Sequence, residues 1–232
     1  MQIERIVGGF IQYFDDPVIE RIFCDYKDYE NGICTVYFHD KPPKELHIGC
    51  STYNSQYGTP FSNDGSKLFV GAWEKELEGV KKGLRAYDIE TGSVLWRLDE
   101  SRIRHIFVYS SYLITIKALA NILKVDINNG SVLGNVKSGT IESIYDLGFP
   151  YILANTISGK LSIVDIEKMQ VVKNYKWKEL GPSIAHGSAI LDATLRGNVL
   201  YVTVFEKPWT DTISFTRPNE IEMVIDADFY NM

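Results

Sequence analysis

Three acidic residues are the side chains in this sequence that could support hydrolytic chemistry. Glu142, Asp146 and Asp192 lie in or beside strand-like runs that could face a common channel. Two carboxylic groups on opposite sides of a glycosidic bond supply the acid and the nucleophile or base of glycoside hydrolysis. No recognisable hydrolase motif surrounds the three, so no catalytic residue is predicted.

A serine and a histidine lie close together in the segment GPSIAHGS, residues 181–188. A Ser-His nucleophile needs an elbow of the G-x-S-x-G type or an orienting carboxylate, and this segment has neither. His186 is therefore interpreted as a hydrogen-bonded residue on a face that could bind a partner.

Cysteine and histidine spacing does not predict a metal site. Cys34, His39, His47 and Cys50 are close in the sequence, but their spacing matches no standard zinc site. With Cys24 the chain has three cysteines, an odd number without a C-x-x-C pair, which indicates free thiols. No phosphate-binding glycine loop is present either. Neither a metal nor another cofactor is predicted.

The composition is that of a globular protein with an acidic balance. The 232 residues are 45% hydrophobic and have a net charge of -6. Nucleic-acid backbones require clustered Lys and Arg, so no nucleic-acid partner is expected, whereas a basic partner is favoured. No run approaches the roughly 18 apolar residues of a membrane span, and no secretory signal is visible. We expect a cytoplasmic protein without a membrane partner.

A repeat supplies the elements that would position these side chains. The segments GLRAYDIETGSVLW (83–96), NILKVDINNGSVLG (121–134) and KLSIVDIEKMQVV (160–172) align. Their aspartates, Asp88, Asp126 and Asp165, are spaced by 38 and 39 residues. Each segment reads as two strands joined by a tight turn, in which the aspartate accepts turn amides and a glycine takes a positive φ. Met169 replaces that glycine in the third copy.

Two further strand-like runs precede each hairpin, so the unit is a four-stranded antiparallel meander. Four-stranded units repeating at about 40 residues are typical of β-propeller blades. We predict an all-β, single-domain propeller over residues 1–232 with five blades, at about 9–51, 52–98, 99–137, 138–178 and 179–226. The last blade lacks one strand, and residues 2–7 are predicted to complete it and close the ring.

The D-x-x-T-G-x-x-L-W pattern of the first segment resembles repeats of the PQQ-like propeller superfamily, which is related in form to WD40-like propellers. In that superfamily an outer-strand tryptophan helps to dock neighbouring blades. Trp96 matches it, while Gly134 and Asn174 occupy the equivalent positions. The resemblance covers residues 65–175 and implies the fold. The quinone and calcium site of the superfamily's enzymes has no match here, so the resemblance implies no cofactor.

Two insertions interrupt the period, at 73–82 and 206–219, each between the second and third strands of its blade. Long loops on a rigid scaffold often carry function, and aromatic residues and arginine are favoured anchors of interfaces. An alternative is that the two tryptophans cap the ring. The predicted partner-binding residues, from the insertions and from linkers on the same face, are Trp73, Glu74, Glu76, Trp209, Asp211, Phe215, Arg217, Arg104, His105 and His186.

Two functions follow as hypotheses. The first is a monomeric, non-catalytic propeller that binds another protein, for example an inhibitor or immunity-type protein that masks a basic toxin or nuclease. The alternative is a carbohydrate-active enzyme or lectin that uses carboxylates of the central channel. The tryptophans do not repeat from blade to blade, which disfavours a multivalent lectin.

Overall fold

The computed structural model describes residues 2–6, 9–25, 33–47, 61–71, 83–99, 103–118, 120–156, 158–176, 190–205 and 220–226. The chain forms two compact units. The first unit comprises Met1–Ala118 and Ile122–Asn135, and the second comprises Leu119–Asn121 and Val136–Met232. The interpretation of the chain as a single domain with the blade boundaries given above stays a prediction.

The described residues form twenty β-strands and contain no helix. The strands are β1 Gln2–Ile6, β2 Gly9–Tyr13, β3 Ile19–Asp25, β4 Ile33–Phe38, β5 Lys44–His47, β6 Phe61–Asn63, β7 Lys67–Gly71, β8 Leu84–Asp88, β9 Val94–Leu98, β10 Ile103–Tyr109, β11 Tyr112–Lys117, β12 Asn121–Asp126, β13 Val132–Lys137, β14 Ile141–Asp146, β15 Tyr151–Thr156, β16 Lys160–Asp165, β17 Gln170–Lys176, β18 Ile190–Arg196, β19 Val199–Phe205 and β20 Glu220–Asp226. In this part of the chain, no helix is long and apolar enough to cross a bilayer.

The strands pair in chain order into five antiparallel sheets. These are β1–β5, β6–β9, β10–β13, β14–β17 and β18–β20. The all-β prediction is confirmed, and five sheets agree with the five predicted blades.

The predicted place of the N-terminal strand in the last blade is wrong. β1 pairs with β2 in the first sheet, from Gln2 opposite Tyr13 to Ile6 opposite Gly9. Only two residues separate these strands in the sequence, so closing the hairpin costs far less chain entropy than pairing with a strand some 200 residues away. The fifth sheet contains three strands among the described residues.

The hairpin turns follow the predicted chemistry. Asp88 Oδ1 accepts the Thr91 amide at 2.6 Å and its hydroxyl at 2.9 Å, and Gly92 has a φ of 74°. In the second copy Gly130 also has a φ of 74°. Met169, at the glycine position of the third copy, also has left-handed backbone, with a φ of 52°. The third copy therefore keeps this turn conformation, although a residue with a side chain is disfavoured there by about 1 kcal/mol.

Side chains alternate between the two faces of a strand, so the second sheet packs against a separate apolar core on each of its faces. On one face Leu68, Val70 and Tyr87 pack with residues of β3–β5. On the other, Leu84 and Ala86 pack with β10–β12. The second unit has its own apolar core, to which both of its sheets contribute. The buried residues of that core are Leu147, Leu153, Leu161, Ile163, Tyr175, Ile190, Ala193, Leu200, Val202, Val204 and Ile225.

Trp96 joins two sheets of the first unit. Its indole Nε1 donates to the Ile127 carbonyl at 3.0 Å, and its ring lies 6.0 Å from that of Phe69. A Cβ on Gly130 would lie 2.5 Å from Trp96 Cε3, so the indole packs directly on the turn of the third sheet. The role of this tryptophan in packing between blades was predicted, and the structure shows the contact.

A buried glutamine joins the first and second sheets. The Gln12 side chain is fully buried, donates to the Phe61 carbonyl at 2.8 Å and accepts the Phe61 amide at 3.3 Å. These two bonds copy the pairing that a neighbouring strand would offer to Phe61, the first residue of β6. The side chain thereby satisfies both backbone groups of that residue.

Candidate functional site

Most predicted partner-binding residues lie outside the described ranges, so they stay predictions. These are Trp73, Glu74, Glu76, His186, Trp209, Asp211, Phe215 and Arg217. The backbone of Arg104 belongs to β10, and His105 follows it in the same strand.

His105 is at a β-bulge of the first unit. The register of β10 against β11 shifts between Arg104 and Ile106, and His105 has a φ of 52°. Left-handed backbone is uncommon for residues other than glycine, and bulges often re-aim side chains beside functional sites. The imidazole is partly buried.

Matching bulges occur at the start of two strands in the second unit. The register of β14 shifts between Ile141 and Ser143, and that of β18 shifts between Ile190 and Asp192. These bulges place two acidic side chains, Glu142 and Asp192, at the solvent-exposed beginning of their strands.

A buried amide positions one of these carboxylates. Asn155 of β15 is 2% exposed, and its Nδ2 donates to Glu142 Oε2 at 3.3 Å. A hydrogen bond from a buried, sterically fixed amide restricts the rotamers of the exposed glutamate. The Glu142 carboxylate therefore has less conformational entropy to lose when it binds a ligand.

Tyr145 connects the two strands that carry the carboxylates. Its hydroxyl donates to the Ile190 carbonyl at 2.7 Å, which joins β14 to β18. Burial raises the pKa of this phenol, the Ser143 hydroxyl partly offsets the rise, and the Glu142 and Asp192 carboxylates raise it further. Both carboxylates therefore affect one partly buried hydroxyl. We call Glu142, Ser143, Tyr145, Asn155 and Asp192 the β14–β18 cluster.

The β14–β18 cluster presents two exposed anionic groups, of which Glu142 accepts a hydrogen bond from the neutral Asn155 amide. Such a surface suits a cationic group, above all the ammonium or guanidinium of a protein side chain. Among the described residues no group of three potential metal ligands is present.

The structure separates two of the three carboxylates considered for hydrolysis. Asp146 Oδ1 accepts the Gly148 amide at 2.9 Å, so Asp146 forms the turn at the far end of β14. Glu142 lies four positions earlier on the same strand, so the two residues lie towards opposite ends of β14.

The cysteines and histidines considered for zinc are part of packing and turns. Cys34 is buried within the core of the first unit, as is Cys24. His39 bonds the Asp16 carbonyl through Nε2 at 3.2 Å, and His47 is exposed on β5. Cys50 lies outside the described residues.

Tyr145 and Asn155 were not predicted from the sequence to belong to a site. Each is a polar residue within an otherwise apolar strand, IESIYD and YILANT. A buried polar residue must find a hydrogen-bond partner, so an isolated one in a core strand is the signal that could have found them.

Comparisons with solved structures give one consistent fold. The chain is similar to BamB from Moraxella catarrhalis, with 15% identity and a TM-score of 0.54 over 88% of this chain and 58% of that one. It is also similar to the C-terminal WD40 domain of Sif2, with 12% identity and a TM-score of 0.56 over 84% of this chain and 54% of that one. For the computationally designed Ika8 protein the identity is 13% and the TM-score 0.52, over 97% and 70% of the two chains.

These similarities show a β-propeller fold. The chain spans somewhat more than half the length of the BamB and Sif2 chains. No family model matches the sequence, and no curated protein does either.

Proposed function

We propose that this protein is a non-catalytic propeller that binds a basic protein through the β14–β18 cluster. One observation carries the proposal: the exposed Glu142 carboxylate is held by the buried Asn155 amide, and a second exposed carboxylate, Asp192, lies on β18, the first strand of the next sheet. Two exposed anionic groups favour a lysine or arginine side chain, and the hydrogen bond from Asn155 leaves the Glu142 carboxylate less entropy to lose on binding.

The net charge of the whole chain also favours a basic partner. The net charge of -6 accelerates the approach of a cationic protein and disfavours acidic competitors. In the narrower form of the proposal, the protein is an inhibitor or immunity-type protein that masks a basic toxin or nuclease. A tight interface also needs aromatic anchor residues, and we propose that Trp73 and Trp209 in the two insertions provide them.

The test is a quantitative affinity capture from lysate of the native cell, followed by binding measurements with the purified partner. Three baits are compared: the wild type, the double variant Glu142→Gln with Asp192→Asn, and Glu222→Gln. Glu222 is an exposed glutamate of β20, so its variant removes a charge in the same unit but outside the cluster.

We expect a basic protein that binds the wild type and the Glu222→Gln control, with affinity reduced at least about tenfold for the double variant. The affinity should also decline as salt is added, because exposed ion pairs are screened. Capture of the same proteins by all three baits would exclude the cluster as the binding surface. Turnover of a chromogenic glycoside that is abolished by Asp192→Asn would replace the proposal with the enzymatic alternative.

A further inference from the structure

Arg85 is a buried charge without a counter-ion among the described residues. It lies on β8, the third strand of the second sheet, and is 2% exposed. Its Nε and Nη1 atoms have no hydrogen-bond partner. Burying an unpaired guanidinium is strongly unfavourable, since the charge loses its hydration and gains nothing in return.

The sister repeats show that this position does not require a charge. Counting back three residues from each turn aspartate, the equivalents of Arg85 are Leu123 and Ser162. Both are almost fully buried, at 2% and 1% exposure. Leu123 belongs to an apolar core, and the Ser162 hydroxyl donates to Asn174 at 2.7 Å. A leucine of similar bulk therefore fits the same place in the repeat.

A second arginine stands opposite Arg85. Arg97 of β9 is its direct cross-strand neighbour, so the two Cβ atoms are about 5 Å apart on one face of the sheet. Like charges at this position repel each other. Arg97 is exposed to solvent, and none of the ion pairs in the described part of the chain includes either arginine.

We propose that Arg85 and Arg97 together bind a small oxyanion, a carboxylate or a phosphate group. One such group relieves both the unsatisfied hydrogen-bonding groups of Arg85 and the repulsion between the two guanidinium groups. Because Arg97 is exposed and lies beside Arg85, an anion reaches Arg85 from solvent past the Arg97 side chain. Because Arg85 is almost completely enclosed, the site selects a small molecule over the surface of a folded partner. This site is separate from the β14–β18 cluster and does not depend on the function proposed for it.

The test measures thermal unfolding and calorimetric binding with inorganic phosphate and with citrate, at an ionic strength held constant with chloride. We expect the wild-type Tm to rise with anion concentration, because a ligand that binds only the native state stabilises it. The anion that acts at the lower concentration identifies the chemical class. The variant Arg85→Leu should weaken anion binding at least about tenfold, since charged hydrogen bonds are lost.

Controls separate this site from a structural charge. Without added anion, Arg85→Leu should unfold at the wild-type temperature or above it, because the sister repeat holds leucine at this position. Arg97→Gln, a surface change that leaves the core intact, should retain part of the binding. Arg196→Gln, at an exposed arginine of the second unit, should bind as the wild type does.

Three results would each overturn the proposal. One is a wild-type Tm that neither anion changes. Another is full anion binding by Arg85→Leu or by Arg97→Gln. The third is a large loss of Tm in Arg85→Leu without anion, which would show that the charge has a counter-ion within the chain.

Discussion

Gly130 is constrained both by its backbone conformation and by the packing between two sheets. It holds a φ of 74°, and the Trp96 ring fills the space where a side chain would begin. An alanine there has to adopt left-handed backbone and also displace the indole from the Ile127 carbonyl to which it donates. Both effects act on the native state, and they add.

We therefore expect Gly130→Ala to lower the free energy of unfolding by about 2–4 kcal/mol, from the left-handed conformation and the overpacking combined. Urea denaturation measures it. Gly197→Ala is the matched control, because Gly197 has a φ of 58° and nothing within 4 Å of the added Cβ. That control should lose only about 1 kcal/mol. Equal losses in the two variants would show that the tryptophan contact is not close-packed.

Gln12 also has a testable role as a single residue. Replacing it with leucine leaves the Phe61 amide and carbonyl without their partner inside the protein, which should cost about 1–3 kcal/mol. Gln170→Leu, at an exposed position of β17, should change the free energy of unfolding by no more than about 0.5 kcal/mol. Chemical denaturation of both variants checks this. A loss for Gln12→Leu no larger than the control's would mean that solvent replaces the two bonds.

At the scale of the element, the tight turns make stability depend on pH. Burial raises the pKa of Asp64, but hydrogen bonds from the Lys67 and Ser66 amides and from the Ser66 hydroxyl outweigh it, so the pKa is lowered from 3.8. A carboxylate with a lowered pKa stabilises the fold above its unfolded pKa, and this stabilisation disappears as the pH falls through the folded value.

Asp64→Asn should therefore reduce the loss of Tm between pH 5 and about pH 2.5, because the amide oxygen still accepts hydrogen bonds but does not titrate in this range. The measurement is thermal unfolding at a series of pH values in matched salt. The prediction would be contradicted if the acid-induced loss were as steep in Asp64→Asn as in the wild type.

The strands of the repeat could be predicted from the sequence, whereas the partner of the N-terminal strand could not. Spacing between turn residues fixes a hairpin locally, as at Asp88 and Gly92. Residues 2–6 were predicted to form a strand, but the sequence does not specify which sheet edge that strand pairs with. In the structure its partner is β2, the strand that follows it directly in the chain. The β14–β18 cluster was not predicted because it depends on bulges. The extra residue of a bulge shifts the alternation within the strand, so Ile141 and Ile144, three positions apart, are both buried.

At the scale of the molecule, the outer strands of two neighbouring sheets expose repeated apolar pairs. Val94 and Leu95 on β9 are 38% and 46% exposed, and Val132 and Leu133 on β13 are 44% and 54% exposed. Both strands are last in their sheets, so within the described ranges each also has a backbone edge that pairs with no further strand. Exposed apolar edge strands promote association with other chains.

The double variant Leu95→Lys with Leu133→Lys should raise the concentration at which the protein begins to self-associate, and its free energy of unfolding should change by no more than about 0.5 kcal/mol per site. Light scattering over a concentration series checks the first part and urea denaturation checks the second. A marked loss of stability would indicate that these side chains are packed in solution.

The contact of Trp96 with Gly130 also bears on how the repeats can diverge. Leu46 stands in the same relation to Gly92 of the following copy, with its Cδ2 3.1 Å from where a Cβ would be. In both contacts, which lie within the first unit, a large side chain of one copy packs against the glycine of the copy that follows. A substitution at Trp96 therefore also changes the space available at Gly130, so the free-energy effects of changing both residues should not be additive.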